Sequence, residues 1–364
     1  MFTRQQVRMI TVVLVVIFVS VCLVGLQWAS AQPAVKPTKL KVAGVFTPPE
    51  VSMMSQSMKT WQDEVTKRTK GAITFENFWG AALGSPAEHI DLVKKNSVQI
   101  AQTHEWYTPG RFPVGNFEYV FPFGPTDYIL VAKAMRKIRT EIPQFAQDET
   151  KENVVMICNA PGGVYDFMSK KPLKTLDDFK GEKVSLIGRY FGRWMPPGAV
   201  PVVRPVADRY DLLRGGVVNT DLLPFDLFYA FKIHEVTKYY IKVHLTTALY
   251  GPVLMNLETF KGFPKEVQKI FLEAGQDVEI RVATEVIPRW WAKCEKEWKA
   301  KGIQFISLSD EDIKKWASTL EDIPAEWAKE VEGKGYPGFK IVERWQEITS
   351  ELGFKWPRKW GVKK

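Results

Sequence analysis

The sequence has little of what metal and nucleophile chemistry require. Its 364 residues include three cysteines and four histidines. None of them has the CxxC, CxxH or HExxH spacing of a zinc site. His104-Glu105 and His234-Glu235 are adjacent pairs, not ligands one helical turn apart. The phosphate-binding patterns GxGxxG and GxxxxGK[ST] are missing, as is the nucleophile pattern GxSxG. No internal repeat or low-complexity segment occurs. These absences count against an enzyme and against a bound cofactor or metal. Long hydrophobic runs are scarce too: the one at Met9 to Leu26 is broken only by Thr11 and Ser20. Arg4 and Arg8 precede it and Ala29-Ser30-Ala31 follows it. That order reads as an export leader over residues 1–31, cleaved after Ala31. The run is long enough that a retained anchor is the other reading. Cys22 lacks the small-residue pair that would mark a lipid-anchor site.

Charge and composition then describe an exported globular chain. Removing the two leader arginines lowers the formal charge from +9 to +7. The charges alternate in sign along helices, as at Glu64, Lys67 and Arg68. That is a solvated face, so nucleic-acid binding is not expected. Hydrophobic residues at 45% and charged residues at 25% suit one or two sizeable cores. After cleavage, Cys158 lies in the apolar run VVMIC and Cys294 in WWAKCEKEW. Two separate buried thiols are expected, although an exported protein could bridge them.

Local patterns give the order of elements. Residues 32–38, with two prolines, form a linker. Strands are expected at 40–46, 73–78, 98–103 and 153–158. A helix over 51–70 carries Met54, Met58, Trp61 and Val65 at spacings of four, three and four. Ser85, Pro86 and Glu88 make an N-cap, N1 and N3 signature for the next helix. Residues 105–125 are a ring-rich loop, either a lined cleft or packing. A helix follows from about residue 127 to 140. After the run 165–169, strands at 183–187, 200–206 and 220–223 alternate with helices, one presumed between 187 and 200 and one over 207–213. Such alternation makes a parallel α/β lobe, which binds ligands beyond its strands' carboxyl ends. A strand at 251–256 precedes a helical pattern over 265–301. If continuous it would run about 50 Å at roughly 1.5 Å per residue, with a kink at Pro288. A strand at 303–308, two further helices and a basic end at 351–364 complete the chain.

Three stretches carry a resemblance. They are Trp79 to Glu88 (WGAALGSPAE), Asp178 to Val184 (DFKGEKV), and Pro201 to Val217, which contains YDLLRGGV. In order and spacing they resemble the DctP-type solute-binding proteins of tripartite ATP-independent periplasmic (TRAP) transporters. The resemblance covers nearly the whole chain after the leader. It implies an α/β, two-lobed periplasmic-binding-protein fold of type II-like topology, with a long helix spanning the lobes. Lobe I would comprise 39–164 and 250–300, and lobe II 165–249 and 301–350. It further implies a periplasmic, monomeric, non-enzymatic protein that closes around a small organic acid and passes it to TRAP permease subunits.

The family's strand arginine, which grips a ligand carboxylate, falls on Ser185. Arg189 and Arg193, four apart and expected at a helix start, and Arg204 are the candidates to replace it. Their other reading is solvation or pairing with Asp208 and Asp211. His104 and Glu105 end a strand expected to face the cleft. Trp79, Trp106, Tyr165, Leu223 and Phe225 are further candidates for its wall. With Tyr107, Trp194 and Tyr229, the rings among them suit an aromatic or apolar ligand, or else they pack the lobe interface. A solute without a carboxylate, a partner sensor and, less favoured, a periplasmic enzyme remain as alternatives.

Overall fold

The computed structural model describes residues 36–362, except 104, 116, 187, 189 and 248–250 and the side chain of Trp106. The leader therefore lies outside the described residues. Among the described residues no helix is long and apolar enough to cross a membrane.

Two sheets organise the chain. The first contains β1 (Thr38–Gly44), β2 (Ile73–Phe78), β3 (Ile100–Gln102), β4 (Val154–Ala160) and β10 (Gly251–Asn256), in the order β2-β1-β3-β10-β4. The second contains β5 (Tyr165–Ser169), β6 (Lys183–Leu186), β7 (Val200–Val203), β8 (Thr220–Pro224), β9 (Tyr239–Lys242) and β11 (Gln304–Ser307), in the order β11-β9-β5-β8-β6-β7. Each sheet is parallel except for one strand contributed from across the molecule. β10 runs antiparallel to β3 and β4, and β5 runs antiparallel to β8 and β9. The chain thus crosses between the sheets after β4 and again before β10. The two crossings touch at a bridge between Val164 and Thr247, and Thr247 Oγ1 donates to the Gly162 carbonyl at 2.7 Å. This is the expected two-lobed α/β architecture.

The helices are α1 (Met53–Arg68), α2 (Pro86–Lys94), α3 (Tyr128–Glu141), α4 (Gln144–Lys151), α5 (Arg209–Arg214), α6 (Phe225–Ala230), α7 (Leu257–Gly262), α8 (Lys265–Arg281), α9 (Ile287–Ala300), α10 (Asp310–Thr319), α11 (Ile323–Glu332) and α12 (Gly338–Glu351). In α1 the apolar stripe Met54, Met58, Trp61 and Val65 is fully buried, so the spacing does face the core. At α2 the Ser85 amide donates to Glu88 at 2.6 Å, completing the capping box. α8 and α9 form one helical run through a π-helical segment, Val282–Val286. Pro288 follows after Ile287 and has no N–H to give the preceding turn, so the wider turn sits where the ladder is already broken. α8 packs on α1 and β4 of the first lobe. α9 packs on the second, where Trp290 meets Tyr229 and Trp291 meets Phe225 edge-on. The run therefore spans both lobes.

Two expectations are corrected. Among the described residues no α-helix joins β6 to β7: a 3-10 turn, Phe191–Arg193, is followed by Pro196-Pro197, which supply too few amide donors for a longer helix. Residues 301–350 also do not stay with the second sheet. β11 does, but α12 packs on α3, with Arg344 paired to Glu141. The basic end folds back as well, since Trp360 is buried and the Gly361 amide donates to Asp322. Cys158 and Cys294 are separate buried thiols.

Candidate functional site

A cavity of about 360 Å³ opens between the two sheets. Its first-lobe side is the loop after β1, Val45 to Thr47, with Ser52 and the turn at Gly80-Ala81. That turn needs left-handed backbone, with φ of 68° and 58°, and it docks onto the loop through the Gly80 amide and the Phe46 carbonyl. Ser52 caps α1, its hydroxyl accepting the Ser55 amide at 3.3 Å. On the second-lobe side, Tyr165 opens β5 and Leu223 lies near the end of β8. Val206 and Ala207 begin the turn into α5, and Leu227, Ala230 and Phe231 form the α6 face. These are the carboxyl ends of parallel strands, where α/β folds hold ligands. The lining is almost wholly apolar: Tyr107, Tyr165, Thr47 and Ser52 supply its polar side chains, and among the described residues no charged side chain reaches it. Burial holds the Tyr165 phenol well above its usual range; Asp226 pushes the same way and Arg209 opposes. The ring therefore presents a neutral hydroxyl.

The structure sorts the sequence candidates. Tyr165 and Leu223 line the cavity. Trp79 is beside it, half-buried, with its ring over the Gly44 backbone, where an added Cβ would meet it at 2.4 Å. Phe225 turns the other way, onto Trp291 at 5.2 Å. Trp194 is fully buried against Phe191. His104, Arg189 and the Trp106 side chain lie outside the described residues. Glu105 is not in the cleft. It is buried beside Arg139, 4.0 Å away, and its carboxyl is pushed up to about 8 by burial. The rings after it are mostly core: Phe117 packs on Phe145, Trp327 and Trp345, and Phe123 on Trp316. For these rings the packing alternative is the one observed, while Tyr107 of the same loop lines the cavity.

The arginine candidates change most. Arg193 is held by Glu326 at 2.8 Å and by Glu321, both far along the chain and mostly exposed. It is a surface pair and not a cleft cation. Arg204 is exposed and donates to the carbonyl of Val203. Ser185 is fully buried, and its hydroxyl donates to Asp221 Oδ1 at 2.6 Å. The same carboxylate oxygen receives Arg209 Nη1 at 2.9 Å, and both charged side chains have zero exposure. Arg209 also donates to the Leu222 carbonyl at 3.1 Å. Burial pushes the Asp221 carboxyl up, while Arg209 and Ser185 pull it down. Sequence reading missed Arg209 because DRYDLL looks like a polar helix start. An acid inside the apolar strand TDLL was the available clue, since a dry carboxylate needs a cation.

A two-lobed α/β protein with an apolar interlobe cavity at its strand ends is a solute-binding scaffold, and comparison gives the family. Residues 45–330 match the profile of bacterial extracellular solute-binding protein family 7, DctP, and the chain belongs to that family, the solute-binding proteins of TRAP transporters. A solute-binding protein of Albidiferax ferrireducens is 23% identical over 288 residues, 76% of this chain and 82% of the relative. Among solved structures, a TRAP periplasmic solute-binding protein of Desulfovibrio salexigens superposes with a TM-score of 0.75 at 21% identity, covering 88% of this chain and 98% of that one. One from Rhodoferax ferrireducens, in complex with copurified benzoate, gives 0.71 at 24% identity, covering 86% and 98%. A marine-metagenome protein specific for aromatic acids, in complex with 3-hydroxybenzoate, gives 0.72 at 23%, covering 88% and 100%.

Proposed function

We propose that this protein captures a small organic solute with an aromatic or apolar body in the interlobe cavity and delivers it to TRAP permease subunits. The observation that carries this is the lining. Leu223, Leu227, Phe231, Val45 and Phe46 surround a volume suited to one small molecule. A polyhydroxylated sugar acid would leave its hydroxyls unpaired against such a wall, at a cost of about 1–3 kcal/mol each. Closure follows from a solute that touches both lobes, about crossings that meet at Val164 and Thr247. The neighbours with benzoate and 3-hydroxybenzoate make aromatic acids the first compounds to try. Arg189 is the cation proposed to serve such an acid.

A second reading, an aromatic solute without a carboxylate, is favoured by the described lining, which holds no cation. A thermal-shift panel of aromatic acids, their neutral counterparts, uronates and linear dicarboxylates separates the classes. Binding raises the melting temperature by mass action. Ring compounds are expected to give the largest shifts, and a panel in which only uronates or linear dicarboxylates stabilise the protein refutes the proposal.

A further inference from the structure

Given that the cavity is the solute site, the Ser185, Asp221 and Arg209 cluster behind its second-lobe wall sets the charge a solute meets there. Asp221 lies two residues before Leu223 on the same face of β8, and Arg209 two residues after Ala207; both Leu223 and Ala207 line the cavity. Ser185 pairs in register with Asp221 across β6 and β8. The guanidinium stands beside this strand position, but it arrives already matched: one positive and one negative group, 2.9 Å apart and without solvent exposure. Its remaining nitrogen, Nη2, and the remaining oxygen of Asp221 are both buried without a hydrogen-bond partner. The pair itself carries no net charge behind the wall, and the other acid near it, Asp226 on α6, adds no cation. An anionic head group pressed against it would lose its hydration and gain no counter-charge.

We infer that the second-lobe wall recognises a solute with no free carboxylate on that side: an uncharged aromatic or apolar compound of the amide, ester or phenol class. Asp221 is the residue that sets this preference, acting through Arg209 and not by touching the solute. Removing its charge while keeping its shape leaves one full positive charge at the Leu222 carbonyl, next to the wall residue Leu223, and turns the wall into an anion site.

Calorimetric titration with benzoate and benzamide decides the matter, using the mature protein and its Asp221→Asn, Arg189→Ala and Arg209→Met/Asp221→Leu variants. The unaltered protein is expected to bind benzamide at least as tightly as benzoate. Asp221→Asn is expected to shift the ratio toward benzoate by about tenfold or more. The double variant, which removes both charges, should keep the original ratio and serves if Asp221→Asn folds poorly. A preference of about tenfold for benzoate in the unaltered protein overturns the inference, and its loss in Arg189→Ala would place the cation there. An unchanged ratio in folded Asp221→Asn also overturns it, as does a failure of that folded variant to bind benzoate at all. Other ring compounds could still bind in either case, leaving the broader reading of the cavity intact.

Discussion

Each lobe sets an arginine against buried acids, and the two are balanced differently. In the second lobe Arg209 meets a single carboxylate, Asp221, with Ser185 completing the hydrogen bonds. In the first lobe Arg139 pairs with Glu149 and also feels Glu105 and Glu118, so three carboxyls share one guanidinium. Burial pushes both Glu105 and Glu118 up to about 8. The two sets of partners thus give opposite outcomes. In the second lobe one guanidinium and one hydroxyl are matched to one carboxylate. An acid excess is relieved by keeping protons, which ties the stability of the first lobe to pH.

The largest effect expected from breaking this contrast is at Arg209. Arg209→Met leaves Asp221 buried and unpaired, a loss of about 3–5 kcal/mol. The Arg209→Met/Asp221→Leu double variant should recover most of it. Urea denaturation of the three proteins checks both statements, and a double variant no better than the single would refute the matched-pair account.

Next comes Glu118. Its folded-state value lies above the unfolded carboxylate range, so the protonated form is the one the fold favours. Its contribution is full at acid pH, below the unfolded value, and is lost as pH rises through that value toward about 8. Glu118→Gln removes this titration, so the fall in stability between mildly acid and alkaline pH should shrink by about 1–3 kcal/mol. Denaturation curves across that range measure it. A slope identical to that of the unaltered protein would show that Glu118 is ionised in the fold.

The smallest effect is at Arg193. Its partners Glu321 and Glu326 are 74% and 58% exposed, so Arg193→Ala should cost less than about 1 kcal/mol. Solute affinity should not change. A marked loss of affinity would return Arg193 to the cleft.

The same contrast marks how far the sequence could be read. Signals within one turn or one strand were legible: the α1 stripe, the Ser85–Glu88 box, the strand at Thr220 to Leu223, and the break at Pro288. Each depends on neighbours a few residues away. Tyr165 and Leu223 could be placed because strand ends are where such folds open. The arginines could not. Arg193 finds its acids more than 120 residues later, and Arg209 becomes buried only because α5 lies over β8. The ring-rich loop after Glu105 stayed open between cleft and packing for a related reason: its partners Trp316, Trp327 and Trp345 come from the far end of the chain, and nothing local shows that they will cover it.

The most direct test is mass spectrometry of the exported protein, first under native conditions and then unfolded, to identify the molecule it carries. One small aromatic or apolar organic compound per chain is expected. A sugar acid or a linear dicarboxylate released at one per chain would contradict the account.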